Sequence, residues 1–231
     1  MDAIYDCESP PGTDKVMLVM LPGATHKPAD FAHHGFIQAL RRRKLPVDTA
    51  LVDAHLGCYL ERSLVKSLTE DVITPARARG YKRIWLMGIS LGGMGALTYA
   101  REHPGEIAGV VVLAPFLGVR GTIEEIVRAG GIDQWQPGTI APQDDERHLL
   151  AWLKTYEAAN PAWPAIHLGY GTGDRFIAAS AILGNRLPPA RIATAPGGHD
   201  WKTWSTLWEK LLDRDLFVCE SEHRNTQRVK R

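Results

Sequence analysis

Apolar positions along this chain fall into two rhythms. Short apolar runs occupy Val16–Leu21, 47–53, 84–87, 108–114, 165–170 and 191–195. They lack the strict alternation of a half-exposed strand, so they predict strands covered on both faces. Between them, 29–44, 62–79, Leu91–Glu102, 176–185 and Trp201–Leu212 carry apolar residues at helical spacing. Pro75 should kink or shorten the second of these helices, and Pro104 stops the third. Pro22-Gly23 closes the first strand and Gly88 the third. Strand alternating with helix predicts an α/β fold, a mostly parallel sheet with helices on both sides.

Two stretches break the alternation. Residues 118–163 are rich in charge, proline and glycine and lie between two predicted strands. A connection of that length has a function or structure of its own. Short helices are expected near 122–128 and 145–156. Their mixture of apolar and charged side chains suits a small cap insertion over the strand ends. The stretch 219–231 is almost wholly polar and is expected to be a frayed tail. The remainder, 1–218, reads as one domain.

Composition narrows the classes. The chain has 231 residues, 45% of them hydrophobic, and a formal net charge of +1. That suffices for a sizeable core and gives no global field toward nucleic acid or an anionic membrane. The basic run Arg41-Arg42-Arg43-Lys44 reads as a solvated helix end. The three cysteines are odd in number and show no CxxC spacing, which disfavours a disulfide framework or structural zinc and points to a reducing, cytoplasmic setting. The start of the chain lacks the basic and apolar stretches of a signal peptide, and Val16–Leu21 is too short to span a bilayer.

The strongest chemical signal is Gly88-Ile89-Ser90-Leu91-Gly92, lying between a predicted strand and a helix of small residues. A serine there must sit on a very tight turn, and the flanking glycines remove side chains that would clash. Its hydroxyl is exposed at a helix N-terminus, where free N–H groups favour developing negative charge. No lysine follows the glycines, so the turn is not a P-loop. The competing reading is a plain glycine-rich connection.

A serine needs a base. Of nine histidines, His199 follows the last strand on a glycine-bearing loop, Pro196-Gly197-Gly198-His199-Asp200-Trp201. That is the C-terminal edge of the sheet, where open α/β folds place their sites. His26 and His55 also follow strands and are possible pocket residues, whereas His167 lies inside a strand and reads as core. The acid that orients the base is expected at Asp174, after the strand at 165–170. Nothing acidic follows the strand at 108–114, and Asp200 adjoins the histidine too closely to reach its far nitrogen. The order Ser90, Asp174, His199 results. Backbone donors for an oxyanion are expected from Leu91 and from Ala24 in the Leu21-Pro22-Gly23-Ala24 turn. Trp135 and Trp152 in the insertion, and Trp201 beside the base, are candidate substrate-contacting side chains.

These motifs together resemble the α/β-hydrolase superfamily. Within it the elbow and the Gly198-His199-Asp200-Trp201 loop are similar to serine carboxylesterases of the esterase D and S-formylglutathione hydrolase group. The resemblance implies hydrolysis of a small-molecule acyl ester or thioester without metal or other cofactor. An acyltransferase with the same triad, or a ligand-binding protein of the same fold, are the alternatives. No HExxH spacing is present, and Gly171-Thr172-Gly173 lacks the third glycine of a dinucleotide fingerprint.

Overall fold

Among the described residues, seven strands build a single sheet in the order β1-β3-β2-β4-β5-β6-β7. They are β1 (Ala3–Asp6), β2 (Val16–Leu21), β3 (Val47–Val52), β4 (Arg83–Ile89), β5 (Gly109–Leu113), β6 (Ala165–Gly171) and β7 (Ile192–Ala195). All neighbours run parallel except β1, which pairs antiparallel with β3. The computed structural model describes residues 1–7, 15–214 and 216–217, so the tail expected at 219–231 lies outside the described residues.

The parallel strands read as unbroken apolar runs because both faces are covered. Val16, Leu18 and Met20 of β2 point into one core with Phe31, Phe36, Trp204 and Trp208. Met17, Val19 and Leu21 point into the other, with Leu68, Ala96, Leu97 and Leu150. Helices α1 (Asp30–His33), α2 (Phe36–Arg42) and α10 (Trp201–Leu212) therefore cover one face. On the other lie α4 (Leu64–Leu68), α5 (Thr74–Ala78), α6 (Leu91–Glu102), α7 (Arg120–Arg128), α8 (Asp145–Thr155) and α9 (Ile177–Gly184).

Three local departures from the sequence pattern have physical causes. The helix expected at 29–44 is two helices, because Gly35 takes a φ of +84° between them. The kink expected at Pro75 is absorbed by a π-turn at Thr69–Ile73 that joins α4 to α5, with Pro75 in the first turn of α5. Strand β1 is short and half-exposed, so it gave no buried run.

The insertion at 118–163 does not stand apart from the sheet layers. Leu149, Leu150, Trp152 and Leu153 of α8 are buried in the same core as α6, and Ile123 and Ile126 of α7 join them. A polar stretch around 141–146 is the part that reaches toward the strand ends.

The strand order carries the site's location. β2 is flanked by β3 on one side and β4 on the other, so the loops after β2 and β4 leave in opposite directions. The crevice at such a reversal is where open parallel sheets hold ligands. The turn Gly23–His26 and the β4–α6 turn at Ser90 stand there.

Candidate active site

Ser90 has a φ of +52° and a ψ of −115°, a region that non-glycine residues enter at a cost of roughly 1–3 kcal/mol. The surroundings hold it there. Its N–H donates to Leu113 O at 3.0 Å, and its carbonyl accepts from Phe116 N at 2.9 Å and Gly93 N at 2.9 Å. The flanking glycines are sterically required. A Cβ on Gly88 would lie 2.1 Å from Gly92 O, and one on Gly92 would lie 2.1 Å from Leu21 O. Leu91 is the first residue of α6, so its N–H has no acceptor within the helix.

Asp174 and His199 arrive from the ends of β6 and β7. Their loops are tied together, with Thr172 N donating to Ala195 O at 2.8 Å and Gly173 N to Gly197 O at 2.9 Å. The sequence expectation brought three residues together, and the structure places them in contact. His199 Nε2 is 3.0 Å from Ser90 Oγ, and His199 Nδ1 is 2.8 Å from Asp174 Oδ2. Asp174 is 3% exposed, and its other oxygen accepts from Phe176 N at 2.8 Å. A carboxylate only accepts, so Nδ1 carries the hydrogen and Nε2 is left to accept from the serine hydroxyl. Phe176 and Trp204 pack edge-on against the imidazole, with centroids 4.8 and 4.9 Å away, and restrict its rotation.

Asp200 has a different task. Its Oδ1 accepts from Thr203 N at 2.9 Å and from Thr203 Oγ1 at 3.1 Å, which caps α10. These hydrogen bonds, the Thr203 N–H first, hold its carboxyl below the usual range.

Ser90 and His199 open into a cavity of about 1010 Å³. Its wall includes Gly23, Ala24, His26 and Leu91, so both residues expected to donate to an oxyanion line it. His26 packs edge-on against Trp201 and Trp204, and burial pushes its imidazole pKa below the ordinary value, with Asp30 opposing the shift. His55 is elsewhere: its Nδ1 accepts from Gly57 N at 3.1 Å at the start of α3 (Leu56–Leu60). His167, read from the sequence as core, is partly buried against Trp85, with its pKa pushed down to about 4 chiefly by burial.

The three tryptophans expected to touch substrate do not line this cavity. Trp135 is 1% exposed and donates from Nε1 to Glu125 Oε1 at 2.8 Å. Trp152 packs edge-on against Tyr156 and Trp163 within the core. Trp201 is stacked on His34 at 4.4 Å and sits among Phe31, Phe36 and Trp204. Large aromatic surfaces are drawn into the core by their area, so size alone does not mark a pocket residue. The aromatic walls are instead Tyr59, Phe116, Phe176 and Trp204. Phe116 and Phe176 each follow a site strand closely, a positional signal that the sequence did contain. Among the described residues, no group of three or more His, Cys, Asp or Glu is arranged to hold a metal ion, and no helix is long and apolar enough to cross a membrane.

A family profile described as serine aminopeptidase, S33, matches residues 64–150, the segment that contains the elbow. No curated protein matches the chain by sequence. Solved structures share its topology at low identity. An S-formylglutathione hydrolase from Staphylococcus aureus is 15% identical, with a TM-score of 0.59 over 88% of this chain and 81% of that one. A monoacylglycerol lipase from Paleococcus ferrophilus is 14% identical, with a TM-score of 0.60 over 93% of this chain and 100% of that one. Est1E from Butyrivibrio proteoclasticus, solved with ferulic acid bound, is 13% identical, with a TM-score of 0.55 over 91% of this chain and 93% of that one. The shared topology shows that the chain has the fold of these α/β hydrolases, and the profile match covers the segment that carries its elbow.

Proposed function

We propose that this protein is a serine hydrolase that cleaves a small carboxylic ester or thioester through an acyl-enzyme intermediate. The observation that carries the reading is the relay Asp174–His199–Ser90, with contacts of 2.8 and 3.0 Å ending on a serine held at a positive φ. His199 Nε2 takes the hydroxyl proton as Ser90 Oγ attacks the acyl carbon. Asp174 holds the ring and stabilises the imidazolium. The acyl oxygen, now negative, accepts from the N–H groups of Leu91 and Ala24. The imidazolium gives its proton to the departing alcohol or thiol. Water then attacks the acyl-enzyme with His199 again as base, which releases the acid and restores Ser90. Asp200 is committed to capping α10, which supports Asp174 as the orienting acid.

A fluorophosphonate probe labels only an activated serine, so it tests the reading directly. The wild-type protein should label and turn over short-chain p-nitrophenyl esters. Ser90→Ala should stay folded, fail to label and lose roughly 10⁶-fold in kcat. Labelling or near-wild-type turnover by Ser90→Ala would refute the assignment. If an added alcohol captured the acyl group in preference to water, the acyltransferase alternative would hold instead.

A further inference from the structure

Beside the catalytic cavity lies a second, apolar lobe that the triad does not use. The lobe has a volume of about 330 Å³ and lies between α7 and α9, with Leu117, Ile123, Ala178 and Ala179 in its wall. Phe116, Arg175 and Phe176 belong to both spaces, so the two adjoin across these side chains. Each of the two phenylalanines is tied to the reaction centre. Phe116 N donates to Ser90 O at 2.9 Å, and the Phe176 ring rests on His199.

Arg175 is singled out by its charge environment. Carboxylates on the walls of the two spaces have partners within the protein. Asp145 accepts from Arg62 Nη2 at 2.7 Å, and Asp144 caps α8 by accepting from Arg147 N at 3.0 Å. Glu146 accepts from Val119 N at 2.8 Å, and Glu124 pairs with Arg120 at 2.6 Å. Arg175 has no ion pair among the described residues. Its guanidinium carbon stands 4.8 Å from the centroid of the Phe176 ring, whose own centroid is 4.8 Å from that of His199. A cation thus sits at the junction of the catalytic cavity and an apolar lobe, steered by stacking and with no carboxylate of its own among the described residues.

We propose that the lobe is a substrate subsite for an apolar arm bearing a carboxylate, with Arg175 pairing the carboxylate at the junction. The proposal deepens the hydrolase reading and rests on it. An arm in the lobe gains about fourfold per buried methylene, the equivalent of ~0.8 kcal/mol each. An exposed guanidinium gains less from a carboxylate than a buried one does, because water screens the pair. Its planar fork still favours a carboxylate over a neutral end of equal length.

Three measurements test the subsite. The first is the ratio of kcat/KM for mono-p-nitrophenyl glutarate to that for p-nitrophenyl valerate, which differ at the far end of the chain. The wild type should favour the glutarate ester. Arg175→Met should lower the ratio roughly tenfold, mainly through KM, and Arg175→Lys should restore part of it. Ala178→Phe, at an exposed position on the lobe wall, should lower the preference for p-nitrophenyl hexanoate over the acetate by about fourfold per methylene excluded. An unchanged glutarate-to-valerate ratio in folded Arg175→Met, or an unchanged chain-length ranking in folded Ala178→Phe, would overturn the proposal. The third measurement is calorimetric binding of mono-p-nitrophenyl glutarate to Ser90→Ala, with and without Arg175→Met. It reads the subsite without turnover. Arg175-dependent binding in a protein whose wild type neither labels nor hydrolyses would support the subsite and reject the hydrolase reading. Turnover with Arg175-independent binding would do the reverse.

Discussion

Gly92→Ala is the sharpest steric test of the elbow. The added Cβ would lie 2.1 Å from Leu21 O and 2.5 Å from Pro22 O. An ordinary carbon–oxygen approach is about 3.3 Å, so relief requires a displacement of roughly 1 Å. Neither oxygen can swing aside, because both belong to the backbone at the end of β2, and Leu21 is in register with Gly88 of β4. The movement must come from the start of α6 or from the Gly23–His26 turn, which are the two supports of the reaction centre. Overpacking of this kind costs about 1–3 kcal/mol. At this chain length that is a fall in Tm of roughly 2–12 °C. A 1 Å misplacement of reacting groups costs on the order of 10²-fold in rate, so labelling by fluorophosphonate should slow by about that factor. Gly121→Ala is the matched control. Gly121 sits in α7 with open space at its Cβ position, so the change should be neutral or stabilise by up to about 1 kcal/mol. Calorimetry and labelling kinetics on both variants decide the matter. A Gly92→Ala protein with wild-type Tm and labelling rate would refute the claim that the elbow needs glycine there.

Further outcomes follow from the contacts of the two aspartates and of His167. Asp174→Asn should lower kcat by about 10⁴-fold by disfavouring the required tautomer of His199, whereas Asp200→Ala should cost roughly 1 kcal/mol of stability through the lost cap and leave most of the turnover. Steady-state kinetics and melting curves separate the two, and the opposite pattern would exchange their roles. His167 has its pKa pushed down to about 4 in the fold, against 6.5 for the unperturbed side chain, so the unfolded chain takes up the proton first as pH falls. Its contribution to stability is complete above about pH 6.5 and is lost progressively down to about pH 4, on the order of 3 kcal/mol in all. His167→Leu should therefore flatten that limb of the stability curve in urea titrations at pH 7.5 and 5, and an equally steep limb in the variant would show that other groups carry it.

The strands, the elbow and the meeting of Ser90, Asp174 and His199 at one sheet edge were legible in the chain because they depend on local rules. A strand buried on both faces must be apolar throughout, as Val16–Leu21 is. A serine on a strand–helix turn needs glycines at fixed offsets, as Gly88 and Gly92 stand to Ser90. Parallel strands send their C-terminal loops to one edge, so His199 and Asp174 could be assigned there from position alone. The tertiary structure decided what depends on neighbours distant in sequence. Hydrophobicity marked Trp135, Trp152 and Trp201 as large apolar surfaces but could not say which surface each would meet, and packing took all three away from the cavity. Cavity walls came instead from Phe116 and Phe176, beside the strand ends, and from a polar stretch of the insertion. That Arg175 has no ion pair among the described residues was invisible as well, since pairs near the cavity form across gaps as long as that between Arg62 and Asp145. Periodicity fixes which way a side chain faces from its own element, whereas what it faces is set by how the elements pack.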